Sequence, residues 1–161
     1  MSFASLLQPL QQKAGAQQTL LIPPHWGQGR AAYGGLVAAF LQTHLDAEQS
    51  EGRPLRAAQI AFIGPATVGE AQIESQLLRT GKSALQADAR LLQNGAVVAT
   101  LQATYGADRS SQLTEPAPQR PNMKAPEDCP ALPYIAGLRP EFTQHFDMRW
   151  SEGGLPFTGH E

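Results

Sequence analysis

The sequence predicts an α+β domain in which one long central helix is wrapped by a curved antiparallel sheet. Three observations carry that prediction. Leu36 to Leu45 reads Leu-Val-Ala-Ala-Phe-Leu-Gln-Thr-His-Leu, a stretch of helix formers that is apolar around most of its circumference and must be enclosed by something. Beyond Arg56 the apolar residues alternate with polar ones, and turn signals separate the runs. The runs are about ten residues long against a usual ~5–6, long enough for a twisted sheet to curl around a single helix.

Taken in order, Ser5 to Gln12 makes a short helix, and Thr19 to Ile22 a short strand stopped by Pro23-Pro24. Gly34-Gly35 opens the long helix. On it Leu36, Phe40 and Thr43 share one face, and Val37, Leu41 and Leu45 share the neighbouring one. Asp46 to Gly52 is a polar loop. A strand from about Arg56 to Ile63, led by Ile60 and Phe62, closes at Gly64-Pro65. A second runs from about Glu70 to Arg79, and Thr80-Gly81-Lys82 turns the chain. From Ser83 to Gln93 the alternation is strict: Leu85, Ala87, Ala89 and Leu91 point one way, Gln86, Asp88 and Arg90 the other. Asn94-Gly95 is a hairpin signal because both residues tolerate positive φ. The return strand sets Val97, Ala99, Leu101, Ala103 and Tyr105 against Val98, Thr100, Gln102 and Thr104. Strands joined by such tight turns are antiparallel, with one face wet.

From Ala107 the composition changes. Pro116, Pro118, Pro121, Pro126, Pro130 and Pro133 punctuate a segment that can hold neither helix nor central strand. Residues 107–139 therefore read as a linker. Phe146, Met148 and Trp150 then alternate with Asp147 and Arg149, the pattern of a half-buried strand, which Gly153-Gly154 and Pro156 end. Such a strand must pair with the first sheet, with another chain, or within a second domain.

The chain has 161 residues, 42% of them apolar and 16% charged, so one globular domain with chain to spare is the expectation. A net charge of −2 makes no case for nucleic acid or an anionic membrane as partner. Cys129 is the only cysteine, which suits a reducing compartment. Met1 to Gln18 lacks the basic and apolar regions of a secretory signal. No stretch approaches the ~20 apolar residues that span a bilayer. The expected setting is cytoplasmic.

Several apparent motifs fail on context. Gly27-Gln28-Gly29-Arg30-Ala31-Ala32 fits a relaxed dinucleotide fingerprint, with Glu48 downstream, but Pro23-Pro24 breaks the strand required before it and hairpins follow it. Gly81-Lys82-Ser83 resembles the end of a phosphate loop, yet position 76 is Gln where the first glycine must stand. The segment reads as a hairpin turn, with Lys82 and Ser83 kept as candidates for meeting a phosphate of a ligand. His25, His44, His145 and His160 share no metal-ligand spacing, so no metal is expected. Cys129 sits among prolines and acids, a poor setting for a thiolate. The nucleophile elbow G-x-S-x-G does not occur.

The feature with most chemistry in it is Gly34-Gly35 before an enclosed helix. Glycine lets a substrate approach the backbone, and the free N–H groups of the first turn point at it with the positive end of the helix dipole behind them. For a carbonyl that gains negative charge as water attacks, this is an oxyanion hole, where losing one donor typically costs ~3 kcal/mol. The alternative is a tight turn into the helix and nothing more. No carboxylate stands in the helix's first turns: Asp46 is at its far end, Asp88 shares a polar strand face with Gln86 and Arg90, and Glu70 and Glu74 read as solvated strand residues.

Tyr33-Gly34-Gly35 with its helix, Ala61-Phe62-Ile63-Gly64-Pro65-Ala66, Leu78-Arg79-Thr80-Gly81-Lys82-Ser83, Gln93-Asn94-Gly95 and Ala99-Thr100 resemble, in that order, the N-terminal hotdog repeat of acyl-CoA thioesterases of the thioesterase II type. The resemblance spans roughly Leu20 to Gly106. It implies a hotdog domain over residues 1–106, and it makes 140–161 the linker's end and the first strand of a second, incomplete repeat. It implies hydrolysis of an acyl-CoA to free acid and CoA without a cofactor, with Gly34 and Gly35 as backbone oxyanion donors and the acyl chain between helix and sheet. His25, Trp26, Tyr33, Lys82 and Ser83 are the candidate substrate-binding residues, Trp26 reading first as a core anchor. In this family the water-activating acid belongs to the C-terminal repeat, so none is assigned here. The expected partners are acyl-CoA and further copies of the chain, as a homodimer or larger homo-oligomer, because such repeats bury a sheet edge and a helix flank against one another. A non-catalytic acyl-CoA-binding repeat is the main alternative. A hydratase or dehydratase would want an acid beside His25, and no nearby residue in the sequence supplies one.

Overall fold

Ser2 caps the first helix, its Oγ accepting from Ser5 N–H at 3.2 Å, and α1 spans Phe3–Leu7. Pro9, with no N–H to donate, sits at the start of a 3-10 turn over Gln8–Gln11 that buries Leu10. These features come from a computed structural model, which describes residues 2–154; Met1 and residues 155–161, with the expected strand terminator Pro156 and His160, lie outside the described residues. Strand β1 is Gln17–Ile22. Beyond Pro23-Pro24, β2 (Gly27–Gln28) and β3 (Ala31–Ala32) form a minimal hairpin with Gly29 at φ 69°. The dinucleotide-like glycines thus shape a hairpin.

Helix α2 runs Gly34–Gln49 and buries Leu36, Val37, Phe40, Leu41, His44 and Leu45. It stops where Glu51 (φ 52°) and Gly52 (φ 74°) turn left-handed. Four long strands follow: β4 (Leu55–Phe62), β5 (Gly69–Thr80), β6 (Ala84–Gln93) and β7 (Ala96–Gly106). They form one five-stranded sheet with β1, in the order β1-β5-β6-β7-β4 and antiparallel at every pairing. Asn94 (φ 52°) and Gly95 (φ 77°) make the β6–β7 hairpin with both residues at positive φ.

The sheet's inner face, with Ile73, Leu85, Ala87, Ala89, Leu91, Leu101, Ala103 and Tyr105, forms one buried cluster with α2, Ile22, Trp26 and Leu10. A buried leucine or phenylalanine there is worth roughly 1.5–3 kcal/mol, enough to fix which strand face turns inward. One expected pointing is corrected. Leu91 pairs with Ala99 but Leu92 with Val97, so a bulge at Val98 turns that residue inward, at 7% exposure, and leaves Val97 on the outer side. At the sheet's end beside β1, buried His44 bonds Ser75 Oγ through Nε2 at 3.0 Å and Gln18 Oε1 through Nδ1 at 3.3 Å.

β4 pairs only with β7, so its other edge is open. Leu55, Phe62 and neighbouring Ile63 are 41%, 58% and 60% exposed. Residues 107–125 form no helix or strand and are exposed almost throughout. Two further 3-10 turns follow, Pro126–Asp128 and Glu141–His145. The expected strand over Phe146, Met148 and Trp150 does not form a ladder. Arg149 makes one bridge to Ala131, while Leu132 N–H donates to Met148 O and Trp150 N–H to Pro130 O. The segment's only pairing partner among the described residues is thus the proline-rich stretch, and Pro130 and Pro133 cannot extend a ladder.

Candidate active site

The first turn of α2 is held by its own backbone. Leu36 and Val37 N–H both return to Tyr33 O, at 3.0 and 3.3 Å, and no side chain caps the turn. Gly34 and Gly35 N–H find no acceptor among the described residues. They are the free donors that a helix start offers. A cleft of about 270 Å³ opens beside them, lined by Gly34, Val37, Phe62, Ala66 and Val98 with the β2–β3 hairpin. Its lining is apolar apart from Gln28 and backbone, and it holds no carboxylate.

Neighbouring loops set the cleft's shape. Tyr33 N–H donates to Trp26 O at 2.7 Å and Ala32 N–H to Ala66 O at 2.6 Å, so the hairpin and the β4–β5 loop are tied to each other in front of the helix. Gln93, 7% exposed, fixes that loop from the far side. Its Oε1 accepts from Thr67 N–H and Oγ1, and its Nε2 donates to Thr67 O and Glu70 O. All of its hydrogen-bonding capacity goes to loop shape, which marks a scaffold residue.

The glycines differ. A Cβ on Gly34 would stand 3.0 Å from Phe62 Cζ, inside the cleft, whereas one on Gly35 would stand 2.5 Å from Tyr33 Cζ. The Tyr33 ring therefore lies against Gly35 and cannot do so over any larger residue. Tyr33 is held in turn by the far end of the chain. Phe142 stacks on it with centroids 4.1 Å apart and planes 2° from parallel, and Phe146 meets both rings edge-on. Beside them His145 stacks on Trp26 at 4.1 Å, and its Nε2–H donates to His25 O at 3.0 Å.

The structure brings Gly34, Gly35 and Tyr33 together at the helix start, while His25 does not line the cleft and meets the 141–145 turn instead. His25 lies at φ 67°, and its Nδ1 is 3.9 Å from Glu141 Oε1. Glu141 is the acid that local sequence could not supply, but both side chains are more than half exposed, and such a pair contributes little. Trp26 is 1% exposed, a core residue with no surface left for a substrate. Lys82 and Ser83 lie in the β5–β6 turn, where Ala84 pairs with Gly106 and Ala107 N–H donates to Ser83 O. Phe62 and Gly34 sit by Ala99, at the other end of β7. At ~3.4 Å per residue the two ends are roughly 25 Å apart, so within one copy Lys82 and Ser83 do not join the cleft. The space expected for an acyl chain between helix and sheet is occupied by Leu36, Val37, Phe40 and Leu41, each at 2% exposure or less. Among the described residues, no three His, Cys, Asp or Glu side chains gather as a metal site would need, and no helix is long and apolar enough to cross a membrane.

Solved structures share this architecture. A conserved protein of unknown function with hot dog fold from Alicyclobacillus acidocaldarius superposes with a TM-score of 0.71 at 23% identity, over 82% of this chain and 49% of its own. A candidate thioesterase II from Thermobifida fusca gives 0.66 at 19%, over 78% and 48%. A candidate thioesterase from Novosphingobium aromaticivorans gives 0.67 at 17%, over 84% and 55%. These likenesses establish the hotdog fold, and the chain spans about half the length of the first two. No curated protein matches. The model of the acyl-CoA thioesterase N-terminal domain matches residues 22–106, which run from the end of β1 to the end of β7 and take in the twin glycines, the helix and the cleft. That match covers more than half of the chain, and the chain belongs to the acyl-CoA thioesterase N-terminal domain family.

Proposed function

We infer that this chain is the oxyanion-hole half of an acyl-CoA thioesterase. The observation that carries the reading is the pair of free N–H groups at Gly34 and Gly35, the first of these residues lining an apolar cleft. Water adds to the thioester carbon, and the carbonyl oxygen takes up negative charge facing those donors and the positive end of the α2 dipole. Collapse expels the CoA thiolate, which takes a proton, and leaves the free acid. The cleft lining contains no base to take the water's proton. That group comes from a second repeat or a second copy seated on the open edge of β4, and where a second copy supplies it the assembly is a homodimer or larger homo-oligomer. Antiparallel pairing of two such edges would carry one copy's Arg56 and Lys82 end toward the other's Gly34, which gives Lys82 and Ser83 a route to the CoA phosphates. A single cysteine and a CoA thioester suit a reducing, cytoplasmic setting.

The cleft's lack of a carboxylate favours one second reading, a repeat that binds acyl-CoA without hydrolysing it. Release of CoA thiol, followed with a thiol-reactive chromophore across acyl-CoAs from acetyl to palmitoyl, separates the two. The thioesterase reading expects release at one or more lengths. Binding of a non-hydrolysable acyl-CoA analogue with no release at any length leaves the binding repeat.

A further inference from the structure

The dimensions of the cleft beside Gly34 bear on which thioester it can take. The interior offers no continuation, since Leu36, Val37, Phe40 and Leu41 fill the layer between helix and sheet at 0–2% exposure. What is left is the cleft itself, about 270 Å³, below the ~300–1,000 Å³ that encloses a drug-sized ligand. Its inner wall is fixed: Val37, Ala66 and Val98 are 2%, 5% and 7% exposed. The Ala66 carbonyl is tied to Ala32, and Val98 is the bulged residue of β7. Its outer wall is the ring of Phe62, 58% exposed on the open strand.

We propose that this cleft selects short acyl groups, from acetyl to about hexanoyl, with Ala66 setting its depth and Phe62 its width. The proposal rests on the thioesterase reading for the identity of the ligand, and it assigns to that site a substrate class. An acyl group whose carbonyl faces Gly34 runs against Val37, Ala66 and Val98, and methylenes beyond that wall find no further room within this chain. Each methylene that enters is worth about fourfold in affinity (~0.8 kcal/mol), and each one left outside adds nothing.

Binding and turnover are measured separately. Calorimetry with S-alkyl-CoA thioethers from ethyl to hexadecyl, which cannot be hydrolysed, is expected to show affinity climbing about fourfold per methylene and levelling near hexyl. Ala66→Leu, which fills the inner end, is expected to stop the climb at ethyl and weaken hexyl binding at least tenfold. Phe62→Ala, at an exposed position, moves the plateau to longer chains and decides the matter alone should Ala66→Leu not fold. Affinity that still climbs at hexadecyl, or a ladder unchanged in the variants, overturns the proposal. Hydrolysis of the matching acyl-CoAs runs in parallel. The expected ladder without turnover removes the thioesterase reading and leaves the short-acyl cleft, turnover with a ladder rising to hexadecyl does the reverse, and absence of binding at every length removes both.

Discussion

A methyl group on Gly35 would meet the Tyr33 ring, while one on Gly34 would meet only the movable edge of Phe62. Both positions are helical, where alanine is intrinsically better than glycine by roughly 0.5–1 kcal/mol. Gly34→Ala is therefore expected to fold with unchanged or slightly higher stability, yet to lose acyl-CoA hydrolysis at least tenfold, because its Cβ enters the cleft. Gly35→Ala is expected to lose activity and about 1 kcal/mol of stability as well, since Tyr33 must leave its stack on Phe142. Denaturant titration and CoA release on the two variants check both outcomes. His44 carries a second prediction. Burial holds its pKa below the ordinary 6.5, against opposing contributions from Glu48 and the Ala16 backbone. The unfolded chain then binds the proton more readily, so His44's contribution is complete above pH 6.5 and is lost as pH falls through the folded value. Melting temperature is expected to drop on acidification below that point, and His44→Gln to flatten the drop.

At the scale of elements, the loop leading into α2 owes its shape to a distant segment. Phe142, His145 and Phe146 clasp Tyr33 and Trp26 from the end of the described chain. Phe142→Ala is expected to cost about 2 kcal/mol and to speed amide exchange over residues 25–33, leaving the β6–β7 ladder unaffected. Equal protection of that loop in variant and parent would break the link. This clasp was not legible in the sequence. The strands were, because alternation over ten residues is local, and so was α2, whose apolar circumference admits only enclosure. The β2–β3 hairpin is too short for any period to show. The stacking of Phe142 on Tyr33 leaves no mark on the residues flanking either one. The wide separation of Lys82 from Gly34 follows from strand register, which the order of motifs along the chain does not reveal. The twin glycines were legible as a helix start, but that one faces a cleft and the other a tyrosine ring depends on residues distant in sequence.

For the whole molecule the unpaired side of β4 dominates. Its eight residues, Leu55–Phe62, contain neither lysine nor proline, and the irregularity and single charge that blunt it, at Leu55–Ala57 and Arg56, are confined to one end. Sedimentation is expected to show a dimer or larger species at micromolar concentration. Gln59→Lys with Ala61→Lys, both exposed, is expected to weaken self-association at least tenfold (~1.4 kcal/mol) without changing the far-ultraviolet spectrum. A parent that sediments as a monomer throughout would remove the edge as an interface. Phe62 belongs to this edge and to the cleft alike. Where copies assemble through this edge and the cleft takes a ligand, both events draw on one ring, and thermodynamic reciprocity relates them. If occupancy of the cleft shifts the dimer constant by some factor, dimerisation must shift the ligand constant by that same factor, so a titration monitored at either site reports on the other.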